Sequence, residues 1–289
     1  MAYQIFTDAT ADASASMLEG LPHVVYIPMS VEIGARLFVY GPGGNLTVPE
    51  FYTIQREGQF ASTSQINTTT YINQFEPYLH QGIDILYLCF SSGLSGTIQS
   101  AKICMDVLKD RYPERKIVLI DTLCASVGQG LLVAEAAKRQ AAGDSLEELT
   151  WWATNNRMNI CHWFTVDVFD HLKHGGRVSS AAASVGTMLR IKPMLHVDEA
   201  GKLEVVEKPR GSRKAMSAQL ARMAQGWRPD ISRWVLIGHG DSLDAAEQLR
   251  QKVIQLFPEA IVYIADIGPI IGAHTGPGML ALIYWGDNR

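Results

Sequence analysis

The stretch around residues 83–112 sets the tightest limit on what this chain can fold into. Ile83–Phe90 is an apolar run without helical polar spacing, which predicts a buried strand. The next residues, Ser91–Thr97 (SSGLSGT), form a turn of serine and glycine, and Thr97–Tyr112 repeats apolar residues at helical spacing. A strand, a small-residue turn and a helix in direct succession predict an α/β fold with a parallel sheet.

The first half of the chain repeats this succession. Small or polar residues separate its apolar runs, among them the predicted turns Phe60–Gln65 and Thr122–Gly130 and the glycine-rich loop Gly41–Gly44. We therefore predict an N-terminal α/β domain over residues 1–155, with a mainly parallel sheet flanked by helices. Its other predicted strands are Tyr3–Thr7, Val24–Ile33 and Lys116–Asp121, and its predicted helices are Ala13–Leu18, a helix from Pro49 with Thr47 as its cap, Thr68–His80, Leu131–Ala142 and Leu146–Met158.

The pattern changes after about residue 155. The predicted strands Pro193–Val197 and Leu203–Glu207 adjoin without a helix between them, which predicts a mixed or antiparallel sheet with helices. Because 289 residues suit two domains of roughly 150 residues each, we predict a C-terminal α/β domain over residues 156–289 and a ligand site between the two domains. Its other predicted strands are Cys161–Thr165, Trp234–His239, Ala260–Ile264 and Met279–Trp285, and its predicted helices are Asp167–His174, an alanine-rich helix from Ser179 or Ser180 to Leu189, Lys214–Gln225 and Ala245–Phe257.

Composition argues against several classes of protein. The formal net charge is −4, so no overall basic field attracts nucleic acid. No apolar run approaches the ~20 residues that a membrane span needs, and the N-terminus lacks the pattern of a signal peptide. The four cysteines stand singly, without the paired spacing of a zinc site or a redox dithiol, which favours a reducing cytoplasm.

Four small, hydroxyl-rich turns at the ends of predicted strands are the first candidates for a ligand site. In open α/β sheets, ligands bind outside the carboxyl ends of the strands, so these turns can line one crevice. None matches GxxxxGK[ST], and no GxGxxG follows a strand, so a nucleotide-phosphate loop is not indicated. The four turns are Asp8–Asp12, Ser62–Gln65, Ser91–Thr97 and Thr122–Gly130.

One histidine and two arginines add groups that can bind an anion. His274 lies in Gly272–Gly278 (GAHTGPG), which predicts a constrained turn whose histidine ring can point at a ligand as a hydrogen-bond partner, an acid or a base. Arg177 follows two glycines, and Arg210 lies between a proline and a glycine. On exposed loops, such arginines can hold phosphate or carboxylate through two hydrogen bonds.

Other chemistries remain open from these residues alone. A Ser/His hydrolase would use a serine of the Ser/Gly turn as nucleophile and His274 as base, although no G-x-S-x-G elbow is present. A phosphotransferase acting on a small hydroxylated substrate is the other form of self-contained enzyme. His171 and His174 have a spacing that can ligate metal, but no third ligand is nearby, so we expect no metal. The candidate nucleophiles are Ser91, Ser92 and Ser95.

Taken together, these segments resemble the DegV family, the fatty-acid-binding subunits of bacterial fatty acid kinase. Each motif is weak singly, but the ordered set is specific and spreads from one end of the chain to the other. Where the family has DS[TS]AD, this chain begins with Asp8-Ala9, so Ala9 is not expected to contact the ligand. The residues that carry the resemblance are Asp8–Asp12 (DATAD), Thr63–Gln65 (TSQ), Ser91–Thr97, Asp121–Gly130, Gly175–Arg177 (GGR), Ile191–Pro193 (IKP), Arg210-Gly211 and His274–Gly278 (HTGPG).

The resemblance implies two α/β domains with a long-chain fatty acid, such as palmitate, between them. By position, the residues implied to bind the fatty acid carboxylate are Thr63, Ser95 and His274. Secondary candidates for the ligand site are Ser92, Gly96, Ser64 and Thr275. The residues that match arginines implicated in engaging a separate ATP-binding kinase subunit during phosphoryl transfer are Arg177 and Arg210.

The resemblance also implies a role without independent chemistry. The chain would be a cytoplasmic lipid-binding subunit with no activity alone, no catalytic residue, no cofactor and at most transient membrane contact. The kinase subunit would bring ATP, and the bound acid would leave as an acyl phosphate for phospholipid synthesis.

Overall fold

The computed structural model describes residues 2–178, 191–287 and 289. Its strands, in chain order, are β1 (Tyr3–Asp8), β2 (Val25–Ile27), β3 (Met29–Ile33), β4 (Arg36–Tyr40), β5 (Ala61–Ser64), β6 (Asp84–Cys89), β7 (Ile117–Asp121), β8 (Ile160–Thr165), β9 (Met194–Val197), β10 (Leu203–Glu207), β11 (Trp234–His239), β12 (Ile261–Asp266) and β13 (Leu280–Trp285). Its helices are α1 (Ala15–Leu18), α2 (Val48–Arg56), α3 (Thr68–His80), α4 (Thr97–Arg111), α5 (Ser126–Ala141), α6 (Leu146–Asn156), α7 (Asp170–His174), α8 (Ser212–Gly226), α9 (Leu243–Leu256) and α10 (Pro269–Thr275).

The first sheet consists of four parallel strands in the order β2-β1-β6-β7. Alternate residues face opposite sides: Phe6 and Tyr87 pack in the same cluster as α3 and α4, whereas Ile5 and Leu88 pack with α5 and α6. Every residue of β6 is buried, as expected for a central parallel strand with helices on both faces. The predicted parallel sheet flanked by helices is confirmed.

The second sheet is mixed and has six strands in the order β10-β9-β8-β13-β11-β12. Strands β11 and β12 are parallel, and the other neighbours in this sheet pair antiparallel. On one face, Met223 of α8 and Leu249 of α9 pack against Val235 of β11. The prediction of a mixed sheet with helices is therefore confirmed, and the hairpin of β9 and β10 forms one edge of it.

Helix α5 lies between the two sheets. All of its residues from Ser126 to Ala137 are buried, which is the pattern of a helix enclosed by apolar neighbours on every side. Val133 and Ala136 pack in the cluster of the first sheet, whereas Val127 and Leu131 pack in the cluster of the second. The two sheets therefore share this helix.

A small antiparallel sheet, β4-β3-β5, was not predicted. The predicted strand Val24–Ile33 is wrong as a single element, because Pro28 interrupts it and β2 and β3 join different sheets. The predicted turn Phe60–Gln65 is also wrong, since it contains β5, which pairs with β3. Its hydroxyl-bearing residues resemble a turn in sequence, and only Ala61 of this strand is buried.

The start of α5 was placed too late. The predicted turn Thr122–Gly130 and the predicted helix from Leu131 are corrected by a helix that begins at Ser126. Its glycines misled the prediction, because Gly128 is required by packing: a Cβ there would stand 1.9 Å from Nε2 of His162. Tertiary contact therefore overrides the weak helix propensity of glycine.

The segment Gly272–Gly278 was predicted as a turn, but its first part is helical. Helix α10 begins with Pro269 in its first turn and ends at Thr275. Gly276 and Gly278 follow with φ of 74° and 85°, where glycine is favoured. His274 therefore lies in the last turn of a helix.

Two further observations concern helices. The predicted alanine-rich helix from Ser179 or Ser180 to Leu189 lies outside the described residues. Among the described residues, no helix has the length and apolar character needed to cross a membrane.

Candidate functional site

A cavity of about 380 Å³ lies where turns of the first half meet the second sheet. Its size and mostly apolar wall are typical of a small-molecule site. The apolar residues that line it are Met29, Phe90, Leu94, Ala125, Val127, Phe164, Leu172, Val197, Leu203, Ile270, Ile271, Met279, Ala281 and Ile283. The polar residues and glycine that line it are Thr10, Thr63, Ser64, Gln65, Ser95, Gly96, Ser126, His162, Arg177, His274 and Thr275.

Thr63 and His274 form a direct pair on the wall of this cavity. Oγ1 of Thr63 lies 2.9 Å from Nε2 of His274, although 211 residues separate them in the chain. Thr63 is held by the pairing of β5 with Val31 of β3, and His274 by α10. Gly175 makes room for the ring, because a Cβ on that glycine would stand 2.1 Å from Nδ1 of His274.

His274 is a neutral imidazole near neutral pH. Burial lowers its pKa to about 4, and electrostatic interactions with Arg177 and His174 act in the same direction. A neutral ring carries one N–H. If Nε2 carries that hydrogen and donates it to Thr63, the hydroxyl hydrogen of Thr63 is left to donate to a ligand. The pair can thus present a hydrogen-bond donor to a carboxylate without a charged histidine.

Ser95 presents a hydroxyl from the turn before α4. Its Oγ accepts a hydrogen bond from the backbone N–H of Thr97 at 3.2 Å, so its own hydrogen remains available for a ligand. Ser91 fixes the other side of the turn: it is fully buried and its hydroxyl donates to the carbonyl of Gly201 at 2.7 Å. The turn therefore places Ser95 at the cavity, whereas the hydroxyl of Ser91 is used in a structural hydrogen bond.

Arg177 contributes a positive charge beside the Ser/Gly turn. Its Nε donates to the carbonyl of Leu94 at 3.3 Å, and its Nη1 donates to the carbonyl of Gly175. Burial lowers its pKa, but an arginine keeps its charge. The guanidinium therefore ties the turn to the residues that support His274, and it favours an anion in the cavity.

The structure brings together seven of the nine residues singled out from the sequence. Ser92 and Arg210 are outside the cavity: both are exposed, the N–H of Ser92 donates to Asp121, and Arg210 pairs through its backbone with Ile191. Thr275 is buried, and its hydroxyl donates to the carbonyl of Ile271 at 3.2 Å. The seven residues that line the cavity are Thr63, Ser64, Ser95, Gly96, Arg177, His274 and Thr275.

Sequence reasoning missed a buried polar network behind the cavity. Thr10 lines the cavity, and its hydroxyl bonds both Asp8 and, at 2.7 Å, Oε1 of Gln129. Asp8 also accepts from the hydroxyl of Tyr87 and the N–H of Phe90, which makes it a loop anchor. Both segments were candidate turns, Asp8–Asp12 and Thr122–Gly130, but nothing in the sequence indicated that Gln129 would bond Thr10.

Among the described residues, the contacts of His171, His174 and His274 differ from those that a Ser/His hydrolase or a metal site would use. The side-chain hydrogen-bond partner of His274 among the described residues is Thr63, not a serine. His171 and His174 contact the ring of Phe60, each at 4.9 Å between ring centroids. In the described part of the chain, no group of three or more His, Cys, Asp or Glu side chains is arranged to hold a metal ion.

Comparisons with known proteins agree with this fold. A family model described as the uncharacterised DegV family matches residues 2–287. A DegV domain-containing protein of Clostridium perfringens is 39% identical over 287 residues, which covers 99% of this chain and 98% of the relative. Fold and sequence together define an α/β protein of the DegV family, and this chain belongs to that family.

Solved structures extend the comparison. A DegV family protein from Thermus thermophilus, described for its fatty acid binding, has a TM-score of 0.86 and 27% identity, covering 99% of this chain and 100% of the other. The fatty acid kinase B3 protein of Streptococcus pneumoniae, solved with linoleic acid, has a TM-score of 0.88 over 99% and 100% of the two chains. Its identity is 22%, so it is similar in fold alone.

Proposed function

We propose that this protein binds a long-chain fatty acid, with the carboxylate at Thr63, Ser95 and His274 and the acyl chain in the apolar cavity. The Thr63–His274 pair carries the proposal, because it places hydrogen-bonding groups on the wall of a mostly apolar cavity. Arg177 adds the charge that a carboxylate requires. The fatty acid binding described for the Thermus relative supports this assignment.

The acyl chain would supply most of the affinity. Burial of a CH₂ group contributes about 0.8 kcal/mol, so a chain of ~16 carbons has ample gross binding energy before the costs of ordering and desolvation. The carboxylate contacts then fix orientation: they hold the polar end at Thr63 and Ser95 while the tail lies among residues such as Phe164 and Ile283. We therefore expect palmitate or a similar acid as the ligand.

We further propose that the bound acid is presented to a separate ATP-binding kinase subunit. A carboxylate oxygen of the ligand would attack the γ-phosphorus of ATP, forming an acyl phosphate for phospholipid synthesis and releasing ADP. Arg210 is exposed and outside the cavity, which suits contact with a partner rather than with the ligand. The similarity in fold to a fatty acid kinase B protein supports this step, and the four buried cysteine thiols suit a cytoplasmic location.

The binding proposal is tested by the lipid that the protein carries and by matched variants. Protein purified from bacterial cells without delipidation should yield a fatty acid on organic extraction and mass spectrometry. Ser95→Ala and His274→Ala should weaken palmitate binding, whereas Ser92→Ala, in the same turn but outside the cavity, should not. An absence of any acyl chain, together with wild-type affinity in both site variants, would contradict the proposal.

The kinase step has its own test. Arg210→Ala should keep wild-type palmitate affinity but lose acyl-phosphate production when ATP and a candidate kinase subunit from the same genome are supplied. If palmitate-loaded wild-type protein yields acyl phosphate with ATP alone, the proposal of a separate kinase is wrong. A serine labelled by a fluorophosphonate probe would instead favour the hydrolase.

A further inference from the structure

Asp12 joins three segments that are far apart in the chain. It lies in the turn after β1 and is 6% exposed. Its Oδ2 accepts from the hydroxyl of Ser126 at 2.7 Å, and its Oδ1 accepts from the backbone N–H of Gly268 at 2.9 Å. Ser126 is the first residue of α5, and Gly268 caps the start of α10. One carboxyl group therefore ties the end of β1 to the starts of two helices.

Both helices form walls of the ligand cavity. Ser126 and Val127 line it from the start of α5, and Ile270 and His274 line it from α10. Thr10, two residues before Asp12, lines it as well. A change in the spacing of the three segments would therefore move residues on the cavity wall, including His274, which pairs with Thr63.

The packing around Asp12 is close enough to fix that spacing. A Cβ on Gly268 would stand 2.7 Å from Oδ1 of Asp12, and a Cβ on Gly130 of α5 would stand 2.1 Å from its carbonyl oxygen. Ser126 has a φ of 53°, an uncommon backbone conformation for a residue other than glycine. Such a conformation persists when its surroundings hold it, and the hydrogen bond to Asp12 is one of the contacts that do so.

The hydrogen bonds of Asp12 do not depend on its charge. Its ionisable neighbours on the packed elements are Asp8, Asp266 and three tyrosines, and burial raises its pKa to about 7. A neutral acid can still accept from Gly268 and donate to Ser126, so both protonation states can bridge the two helices. An asparagine can do the same through its oxygen and its NH₂ group. The three tyrosines are Tyr26, Tyr40 and Tyr52.

We propose that Asp12 is a positioning residue for the ligand site, which sets the starts of α5 and α10 at the spacing that brings Ser126 and His274 onto the wall of one cavity. Asp12 acts through these residues and does not contact the ligand. Its role in fatty acid affinity rests on the proposed function, but its role in placing His274 applies to the ligand-free protein as well.

The first experiment compares ligand affinity with stability. Asp12→Ala should weaken palmitate binding to delipidated protein by about tenfold or more, because it leaves the Gly268 N–H without its acceptor. Asp12→Asn should restore near-wild-type affinity. The matched control is Ser232→Ala, which removes a buried hydroxyl–carboxylate bond to Glu135 at the far end of α5, away from the cavity. It should lower stability while leaving palmitate affinity near that of the wild type.

The second experiment needs no ligand. The imidazole NMR signals of His274, assigned with His274→Gln, should shift in ligand-free Asp12→Ala and stay unchanged in Asp12→Asn and Ser232→Ala. If the His274 signals of Asp12→Ala match those of the wild type, the positioning role is wrong, whether or not palmitate binds. The positioning role is equally wrong if Asp12→Asn shifts the His274 signals as Asp12→Ala does, or if Ser232→Ala shifts these signals as far as Asp12→Ala does. A wild type that fails to bind palmitate contradicts the proposed function alone.

Discussion

Replacing His274 by glutamine should flatten the pH dependence of stability. Burial holds the pKa of His274 at about 4 in the folded chain, against 6.5 for an ordinary histidine. Because the unfolded chain binds this proton more readily, the free energy of unfolding falls as the pH falls through the window from 6.5 to 4. The difference in pKa corresponds to about 2 kcal/mol lost by the wild type between pH 7 and pH 5.

Glutamine removes this loss because it cannot titrate. Its amide can still bond Thr63, so the fold should be retained. Urea unfolding of delipidated protein at pH 7 and pH 5, analysed by linear extrapolation, gives the change for each protein. Other titrating groups contribute equally to wild type and His274→Gln and cancel in the comparison. His80→Gln, at the exposed end of α3, is the control for the loss of a histidine that does not line the cavity.

A bound fatty acid should reduce the stability that the wild type loses between pH 7 and pH 5. A carboxylate beside His274 raises the pKa of the ring toward its ordinary value, so palmitate-loaded protein should lose less stability between pH 7 and pH 5 than delipidated protein. The reasoning is refuted if His274→Gln loses as much stability as the wild type. A loaded protein that loses as much as the delipidated one would contradict the placement of the carboxylate beside His274.

Three further predictions follow from close contacts and buried bonds. Gly175→Ala should displace the His274 ring, lowering stability by about 1–3 kcal/mol and weakening palmitate binding, both measured on purified protein; unchanged affinity would place the ring elsewhere. Gln129→Leu should cost about 1–3 kcal/mol in urea unfolding because the buried hydroxyls of Thr10 and Thr7 and the carbonyl of Leu88 each lose a hydrogen bond to Gln129; a neutral effect would show that this network is dispensable. Ser145→Ala should cost about 1 kcal/mol through loss of the capping box of α6, with palmitate affinity unchanged; weaker binding would couple α6 to the site.

The sequence predicts the order of the elements well because local patterns decide it. The run Ile83–Phe90 becomes β6 and the cap at Thr47 is observed, since each depends on residues close in the chain. The failures lie where distant residues decide. Gly128 is in the helix because a side chain there would clash with the His162 ring. Ser62–Ser64 form a strand because β3 is available to pair with them.

The candidate site divides in the same way. Hydroxyl-rich turns and a histidine among glycines stand out in sequence, and the family resemblance then singled out Thr63, Ser95 and His274 within them. The apolar wall of the cavity could not be predicted, because its residues, such as Phe164 and Ile283, are of the same types as those in the core. Residue pattern alone could not separate Ser95, which lines the cavity, from the exposed Ser92, because that depends on how the turn leaves β6; only the resemblance ranked Ser95 first.

The burial of α5 between two sheets bears on how the chain can be divided. This helix belongs to the first half in sequence, yet Val127 and Leu131 on it pack in one cluster with strands that are synthesised later. A fragment ending at residue 155 would leave Val127 and Leu131 in water, whereas residues 156–289 alone would leave their partners on β11 and β13 uncovered. The two halves should therefore unfold in one cooperative transition, and neither should be obtainable as a stable protein by cutting the chain between them.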